Sequence, residues 1–193
     1  MAQLRLFPAM AGIRASDWDA LHDGRNPFLT HAFLAGLEQH RCLREAWGWT
    51  PRHAGWFEGN TLVAAAPGYL KDNSHGEFVF DHAWAQAYGR LGLDYYPKWL
   101  IAVPYSPVTG PRVLAKSPEA RRDLLAAMAA QTREDGLSSL HVNFPADGEL
   151  DAFDDPWLAR GDVQFHWRNE SGWRDFDDFL AAEVLDTGKP KSL

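Results

Sequence analysis

RHAGWFEGNTLVAAAPGY, the stretch at residues 52–69, predicts the first pair of strands in this chain. Two apolar runs, residues 52–57 and 61–69, flank the three turn residues Glu58-Gly59-Asn60. Apolar runs joined by a short glycine-containing turn are typical of a β-hairpin. We therefore predict antiparallel strands on both sides of Gly59.

Strand and helix signals alternate on either side of this hairpin. Connections are short and no linker interrupts them, which indicates one α/β (α+β) domain over residues 1–182. Residues 183–193 are polar and contain Gly188 and Pro190, so we predict a disordered tail there. The other predicted strands lie at residues 4–7, 99–103, 140–144 and 163–167. The predicted helices are one capped by Ser16, one capped by Thr30, one spanning residues 80–91, one that starts at Ser117-Pro118-Glu119 and one that starts at Phe176.

Composition and charge restrict the class of protein. A net charge of −7 and a pI near 5.5 disfavour nucleic acid as a partner, because phosphate-backbone binding needs a basic face. Cys42 is the single cysteine, so a disulfide framework and a cysteine-based metal site are both excluded. The longest charge-free run, residues 99–111, is too short to span a membrane. We expect a soluble, cytoplasmic protein.

The segment from Lys71 to Arg112 carries the densest group of reactive side chains. His75, Glu77, Asp81 and His82 place two imidazoles and two carboxylates within eight positions. Such groups can exchange protons or bind a metal. Their spacing matches no zinc signature, and Asp81 at a helix start is also typical of an N-cap, so no metal is expected. Acid–base chemistry and structural capping both remain open.

Three tyrosines in the same segment are candidate substrate-binding residues. Tyr95, Tyr96 and Tyr105 flank predicted loops, where hydroxyl groups can line an apolar pocket. An ordinary core rich in aromatic residues explains the pattern equally, and it is our interpretation of Trp84 and Trp99.

Basic residues surround the predicted helix start at Ser117. A helix N-terminus with added cations can hold a phosphate or carboxylate, and Thr109-Gly110-Pro111 offers backbone that a ligand can approach. A solvated basic face is the alternative. The basic residues are Arg112, Lys116, Arg121 and Arg122.

Two histidines lie on the polar faces of predicted strands. His141 alternates with Leu140 and Val142, and His166 alternates with Phe165 and Trp167. Their polar faces could line a cleft or simply face solvent. The sequence lacks a Gly-x-Ser-x-Gly elbow, a phosphate-binding loop and a dinucleotide fingerprint, which disfavours the corresponding enzyme classes.

Several phrases resemble the FemAB-like family of bacterial proteins, which are labelled as peptidoglycan biosynthesis or GNAT-type acyltransferase proteins. The resemblance runs from about Asn26 to Leu180. The phrases are Asn26-Pro27-Phe28-Leu29-Thr30-His31-Ala32-Phe33-Leu34, Tyr69-Leu70-Lys71, Gly76-Glu77-Phe78-Val79-Phe80-Asp81, Tyr95-Tyr96-Pro97-Lys98, Pro107-Val108-Thr109-Gly110-Pro111-Arg112, Gln164-Phe165-His166-Trp167-Arg168 and Phe176-Asp177-Asp178-Phe179-Leu180.

The resemblance implies a GNAT-like mixed, mainly antiparallel sheet flanked by helices. It also implies acyl transfer to an amine, with acetyl-coenzyme A or aminoacyl-tRNA as the acyl carrier and a small molecule or peptide as the acceptor. Family members continue into a second GNAT-like half, so we expect this chain to be an N-terminal half that pairs with a second half or with itself. The Gln/Arg-x-x-Gly-x-Gly/Ala loop of coenzyme A enzymes is missing before Ser117.

Two hypotheses about function follow. In the first, the chain is an acyltransferase half in which Glu77, His141 or His166 deprotonates the amine. Arg112 and the helix start would then hold an anion. In the second, the chain is a noncatalytic module that recognises a cell-wall peptide or a partner half. The candidate substrate-binding residues are His75, Asp81, Tyr95, Tyr96, Tyr105, Thr109, Gly110 and Arg112.

Overall fold

The structure is a computed structural model that describes residues 2–187, and it divides into two compact units between Trp157 and Leu158. The strands are β1 (Ala2–Phe7), β2 (Thr50–Pro51), β3 (His53–Glu58), β4 (Thr61–Ala66), β5 (Gly68–Lys71), β6 (Lys98–Ile101), β7 (Leu114–Ala115) and β8 (Leu140–Val142). The α-helices are α1 (Ala15–Asp19), α2 (His31–Gln39), α3 (His82–Arg90), α4 (Pro118–Glu134) and α5 (Phe176–Thr187).

The first sheet is antiparallel, with strand order β1-β3-β4-β7. The predicted hairpin is confirmed as β3 and β4, and Glu58 pairs with Thr61. Gly59 and Asn60 therefore form the turn, which is one residue shorter than predicted. Gly59 has a φ of 60°, a left-handed conformation that glycine adopts without steric cost.

The second sheet has strand order β2-β5-β6-β8 and contains one parallel pair, β6 with β8. The apolar run predicted as one strand over residues 61–69 belongs to both sheets. It breaks at Pro67, which has no amide hydrogen to donate to a strand ladder. β4 ends before this proline and β5 begins after it, so the proline moves the chain from one sheet to the other.

Helices cover both faces of the first sheet, which explains why β4 is apolar from Leu62 to Ala66. Leu62 and Ala65 pack into one apolar cluster with Trp18 and Leu34 of helices α1 and α2. The other apolar residues of β4, Val63, Ala64 and Ala66, pack into a second cluster with Leu124 and Met128 of helix α4. The predicted class, a mainly antiparallel mixed sheet flanked by helices, is confirmed.

Two of the three predicted N-caps are confirmed. The hydroxyl of Thr30 accepts from the Phe33 amide at the start of α2, and that of Ser117 accepts from the Ala120 amide at the start of α4. The prediction for Ser16 is wrong, because α1 begins at Ala15 with Arg14 as its N-cap. Ser16 therefore lies inside the helix.

The second unit contains α5, and the strand predicted at residues 163–167 is wrong. These residues form neither helix nor strand, and Phe165 is 96% exposed. An alternating pattern becomes a strand only when a neighbouring strand supplies hydrogen bonds, and residues 163–167 lie in no sheet and no isolated β-bridge between residues 2 and 187. The predicted boundary at residue 182 falls within α5, which continues to Thr187, and residues 188–193 of the predicted tail lie outside the described residues.

Candidate functional site

Two buried lysines face each other across neighbouring strands of the second sheet. Lys71 ends β5, Lys98 begins β6, and the two residues are paired in the antiparallel register. Both side chains are fully buried. Burying an ammonium group is costly unless charged or polar partners compensate for the lost water, so the partners of these lysines define the site.

Lys98 has three side-chain partners from the loop between β5 and α3. Its Nζ donates to Glu77 Oε2 at 2.8 Å, to Asp81 Oδ2 at 2.6 Å and to Ser74 Oγ at 3.0 Å. Glu77 and Asp81 are themselves 3% and 1% exposed. Residues 72–81 form neither helix nor strand, and the bonds to Lys98 are among the contacts that hold this loop in place.

Two tyrosines complete this group of side chains. Tyr95 donates its hydroxyl to Asp81 Oδ2 at 2.8 Å, and the Tyr96 hydroxyl lies 2.7 Å from Ser74 Oγ. Their rings meet edge to face, and Lys98 Nζ lies 5.2 Å and 5.5 Å from their centroids. The Lys98 cluster, as we call it, thus consists of Ser74, Glu77, Asp81, Tyr95, Tyr96 and Lys98.

The two carboxyl groups of the Lys98 cluster differ in acidity. Burial raises the pKa of Glu77, and the opposing effect of Lys98 does not offset it. Burial also acts to raise the pKa of Asp81, but hydrogen bonds from Lys98, Ser74 and Tyr95 outweigh it, so that pKa is lowered. Burial and the bond to Asp81 raise the pKa of Tyr95. Within the cluster, Glu77 is therefore the carboxyl group that more readily takes up a proton.

Each carboxyl group also has one oxygen that is not used by Lys98. Glu77 Oε1 and Asp81 Oδ1 are buried and have no hydrogen-bond partner among the described residues. A buried acceptor without a donor costs about 1–3 kcal/mol, so such atoms are rare and often mark a ligand or a water molecule.

Lys71 occupies an aromatic environment beside the Lys98 cluster. Its Nζ donates to the carbonyl oxygens of Trp47 and His75 and lies 4.2 Å from the ring centroid of Trp49. Burial lowers its pKa to about 8. His75 therefore contributes its backbone, and its side chain is exposed.

Tyr105 packs against the same aromatic group and not against the Lys98 cluster. Its ring contacts Trp47 and Trp49, and its hydroxyl accepts from the Arg44 amide at 3.0 Å. It also lies against Gly76, where an added Cβ would come within 2.7 Å of the Tyr105 ring. Tyr105 thus supports the loop that carries Glu77.

His141 lies next to the Lys98 cluster on β8. Its ring centroid is 5.9 Å from that of Tyr95, and its Nε2 is 2.9 Å from Ser139 Oγ. Burial and the positive charge of Lys98 lower its pKa to about 4. A neutral imidazole can accept a proton, so His141 stays a candidate base.

Arg112 was predicted to bind an anion, but its side chain turns toward the backbone of the protein. Its guanidinium is fully buried and donates to the backbone carbonyls of Val108, Gly110, Pro111 and Asn143. Among the described contacts it therefore ties loops together, because a guanidinium committed to carbonyl groups has little capacity left for an anion.

The two other arginines of the predicted anion site also have partners within the protein. Arg121 donates to the Val113 carbonyl and lies 3.6 Å from Glu149, and Arg122 pairs with Glu119. Gly110 is buried against Asn26, and Thr109 is exposed nearby. The structure does not bring these residues together with the Lys98 cluster.

His166 lies in the unit that begins at Leu158, where its side chain is exposed. A cleft of about 480 Å³ in that unit is lined mainly by aromatic rings, and His166 is not among its lining residues. The lining residues are Trp167, Asn169, Trp173, Arg174, Asp175, Phe176 and Phe179.

Lys98 and Ser74 were not predicted as site residues from the sequence. A lysine directly before the apolar run Trp99-Leu100-Ile101 was the available signal, since such a residue is buried only with a counter-charge. Four of the predicted residues do lie in the cluster: Glu77, Asp81, Tyr95 and Tyr96. Among residues 2–187, no group of three or more His, Cys, Asp or Glu side chains is placed to hold a metal ion.

The Lys98 cluster can hold and accept protons in a site that is shielded from water. The low polarity strengthens charge interactions, and Lys98 keeps two carboxylates close together that would otherwise repel each other. A carboxyl group of raised pKa is suited to act as a general base near neutral pH.

Comparisons with known proteins relate the chain to one family and to several solved structures. The family model for FemAB-like proteins, described as peptidoglycan biosynthesis/recognition, matches residues 9–192. Among the described residues, no helix is both long and apolar enough to cross a membrane. No curated protein shows a significant match.

Two solved structures are similar over most of the chain. Ribosomal-protein-alanine N-acetyltransferase from Brucella melitensis biovar Abortus 2308 is 12% identical, covers 87% of this chain and 99% of its own, and has a TM-score of 0.48. A point variant of TTHA1254 from Thermus thermophilus is 15% identical, covers 85% and 95%, and has a TM-score of 0.44. Because the family model matches nearly the whole sequence, the chain belongs to the FemAB-like family.

Proposed function

We propose that this chain is the N-terminal half of an acyltransferase that passes an acyl or aminoacyl group to an amine in peptidoglycan precursor metabolism. Membership of the FemAB-like family supports a role in acyl transfer or in peptidoglycan metabolism. The acceptor in this proposal is a small molecule or a peptide, and the reaction takes place in the cytoplasm. A second GNAT-like half or a second copy of the chain completes the protein.

The observation that carries the proposal is Glu77. Its carboxyl group is buried, its pKa is raised, and its Oε1 has no donor among the described residues. Acyl transfer to an amine needs a base, because the protonated amine has no free electron pair with which to attack a carbonyl. Glu77 Oε1 accepts that proton in our proposal, and Lys98 holds Glu77 in place through Oε2.

The acyl carrier in this proposal is either acetyl-coenzyme A or aminoacyl-tRNA. The loop before α4 does not provide a cradle for the pyrophosphate of coenzyme A. The amides of Arg112 and Val113 already donate to the Glu149 carboxylate at 2.7 Å and 2.9 Å, and an anion there would repel that carboxylate. A carrier would have to bind elsewhere, and no step of the proposed proton transfer depends on it.

The test is acyl transfer from labelled donors to muramyl peptides, with substitutions at each candidate base. Glu77→Gln should lower kcat by about 100-fold or more, because a general base contributes about that factor. Glu58→Gln, which alters an exposed carboxylate on the hairpin, should leave the rate unchanged. Unchanged transfer in Glu77→Gln, His141→Gln and His166→Gln would eliminate all three candidates.

A second function is supported by a separate observation. Large apolar side chains are exposed along and beside α3, a helix without buried residues, as is typical of a binding surface. They favour a noncatalytic module that recognises a cell-wall peptide or a partner half. The side chains are Phe78, Phe80, Trp84, Leu91 and Leu93, so the interpretation of Trp84 as a core residue is wrong.

Thermal-shift measurements separate the two functions. Stabilisation by acetyl-coenzyme A alone supports the enzyme, and stabilisation by muramyl peptides alone supports the recognition module.

A further inference from the structure

Helix α3 turns an apolar face away from its own unit. Ala85 and Tyr88 are on the side that contacts the unit, where both are half-buried and the Tyr88 ring centroid lies 5.2 Å from that of Tyr95. At about 3.6 residues per turn, the four residues on the adjacent side are apolar and exposed. An apolar helix face is normally covered, so this one is expected to have a partner. Its residues are Ala83, Trp84, Ala87 and the C-cap residue Leu91.

The exposed apolar surface around α3 is large enough for a protein partner. Phe78 and Phe80 before the helix and Leu93 after it are 48%, 73% and 55% exposed, and Trp84 and Leu91 are 54% and 74% exposed. With ~200 Å² for a whole large apolar side chain, these five expose about 600 Å². Two such surfaces together would bury about 1,200 Å², which reaches the lower limit for specific, stable interfaces.

The charges beside this face allow it to meet a copy of itself. The apolar residues of the face include no ionisable group, and the charged residues that flank it, Arg90 and Asp94, have opposite signs. A two-fold axis through the face therefore brings no like charges together at its centre. In an antiparallel pair the dipoles of the two helices also run in opposite directions, which is the favourable arrangement.

The sizes of the side chains also suit an antiparallel pair of α3 helices. Trp84 and Leu91 are seven positions apart, so they lie two turns apart on the same side of the helix, and the small Ala87 lies between them. When a two-fold axis passes beside Ala87, Trp84 of each copy packs against Leu91 of the other. Two alanines at the axis let the helices approach closely, because the distance between helices depends on the side chains at the contact.

We infer that the exposed face of α3 binds the same face of a second copy of this chain, as an antiparallel two-fold pair with Ala87 at its centre. The inference rests on the part of the proposed function in which a second copy completes the protein, and it adds the surface through which the two copies meet. The apolar, uncharged character of the face favours another copy of itself over a polar cell-wall peptide.

Analytical ultracentrifugation of the full chain measures the pairing, at concentrations up to about 200 μM because small interfaces often have micromolar affinities. The unaltered chain should sediment with twice the mass of one chain. Ala87→Glu should halve that mass, because two carboxylates would meet at the axis. Gln86→Glu, on the polar side of α3, should keep the mass of the pair. A monomeric unaltered chain, or equal masses in the two variants, would overturn the inference.

Disulfide cross-linking covers the case in which Ala87→Glu prevents folding. The exposed Cys42 is first replaced by serine, so that an introduced cysteine is the only thiol. Mild oxidation should then link two copies of Ala87→Cys, because cysteines at the axis come within the ~4–7 Å between Cα atoms that a disulfide needs. Gln86→Cys points away from the axis and should not be linked. Absence of the link in Ala87→Cys, or equal linking in both variants, would overturn the inference.

The outcomes for this pairing and for the transferase proposal are separable. If the chain pairs through α3 and no amine is acylated, only the transferase proposal is wrong. If a chain that is monomeric at every concentration acylates an amine, only the inference about α3 is wrong. A monomeric chain in which muramyl peptides shift the amide NMR resonances of α3 would also overturn the inference, because the face would then belong to the peptide.

Discussion

Lys98 is the residue whose side chain connects the largest number of buried charged and polar groups in the candidate site. Replacing it with methionine keeps much of the apolar volume but leaves Glu77 and Asp81 buried without a counter-charge. We expect Lys98→Met to lower the free energy of unfolding by about 3–5 kcal/mol, the usual cost of removing one partner of a buried ion pair. Urea unfolding followed by circular dichroism measures the difference.

The matched control for Lys98 is Lys116→Met, because Lys116 is exposed. This substitution should change the free energy of unfolding by less than about 0.5 kcal/mol. If the two variants were equally stable, the two carboxyl groups would not depend on Lys98.

His141 should make stability depend on pH in a defined range. Its pKa is lowered from 6.5 to about 4, mainly by burial, so the unfolded chain binds a proton near pH 6.5 that the folded chain does not bind until about pH 4. The folded chain therefore has its full stability, as far as His141 is concerned, above pH 6.5, and it loses stability as the pH falls toward 4. Between these values the unaltered chain should lose up to ~1.4 kcal/mol per pH unit more than His141→Gln.

Urea unfolding at a series of pH values tests this dependence on His141. The exposed residue His40 supplies the control, since His40→Gln should keep the slope of the unaltered chain. The same slope in His141→Gln as in the unaltered chain would show that His141 is not responsible.

Individual residues of the candidate site were only partly predictable from sequence. Glu77, Asp81 and the tyrosines stand out because reactive side chains crowd one segment. Lys98 does not stand out, because its structural role depends on Asp81 and Glu77, which lie 17 and 21 positions away in sequence. Arg112 was predicted to bind an anion from its place before α4, but its donors turn inward to carbonyl groups.

At the scale of single elements, the start of α4 gives a direct test of capping. Ser117 accepts from the Ala120 amide, so Ser117→Ala should lower the free energy of unfolding by about 1 kcal/mol. Ser16→Ala is the matched control, because Ser16 lies within α1 and caps nothing there. Thermal unfolding of both variants checks the difference, and equal losses would contradict the assignment of Ser117 as the cap.

The loop before α3 depends on Gly76, which has a φ of 76°. A Cβ there would meet the Tyr105 ring at 2.7 Å, so Gly76→Ala adds a steric clash to the cost of a left-handed conformation. Gly59→Ala has a similar φ of 60° but no atom within 4 Å of its Cβ. We expect about 1 kcal/mol of destabilisation for Gly59→Ala and at least about 2 kcal/mol for Gly76→Ala, by urea unfolding. Equal losses in the two variants would show that the Tyr105 ring moves aside to make room for the added methyl group.

Elements with strong local signals were predicted well, and those that need a distant partner were not. The hairpin and α4 carry their own turn and cap residues, so they formed as expected. Residues 163–167 have the alternation of a strand but belong to no sheet in the part of the chain that the structure describes. Strand pairing is a contact between segments, and the alternation of one segment cannot supply it.

At the scale of the whole molecule, the division between Trp157 and Leu158 predicts where a protease cuts first. Residues 158–169 form neither helix nor strand and are exposed throughout, whereas the irregular segment at 104–111 includes buried residues and is held by Arg112. Limited proteolysis with chymotrypsin should therefore cleave after Leu158, Phe165 or Trp167 before it cleaves near Tyr105. Mass spectrometry identifies the first products, and early cleavage near Tyr105 would contradict this order.

The sequence by itself determined the hairpin, the capped helices, the mixed class of fold and the family, because these depend on short-range patterns of residues. It also located the segment that carries Glu77 and Asp81. Only the tertiary structure decided that Lys98 joins these carboxyl groups, that Arg112 supports loops and that residues 163–167 form no strand. The physical reason is burial: the charge state and role of a side chain depend on which distant groups replace its water.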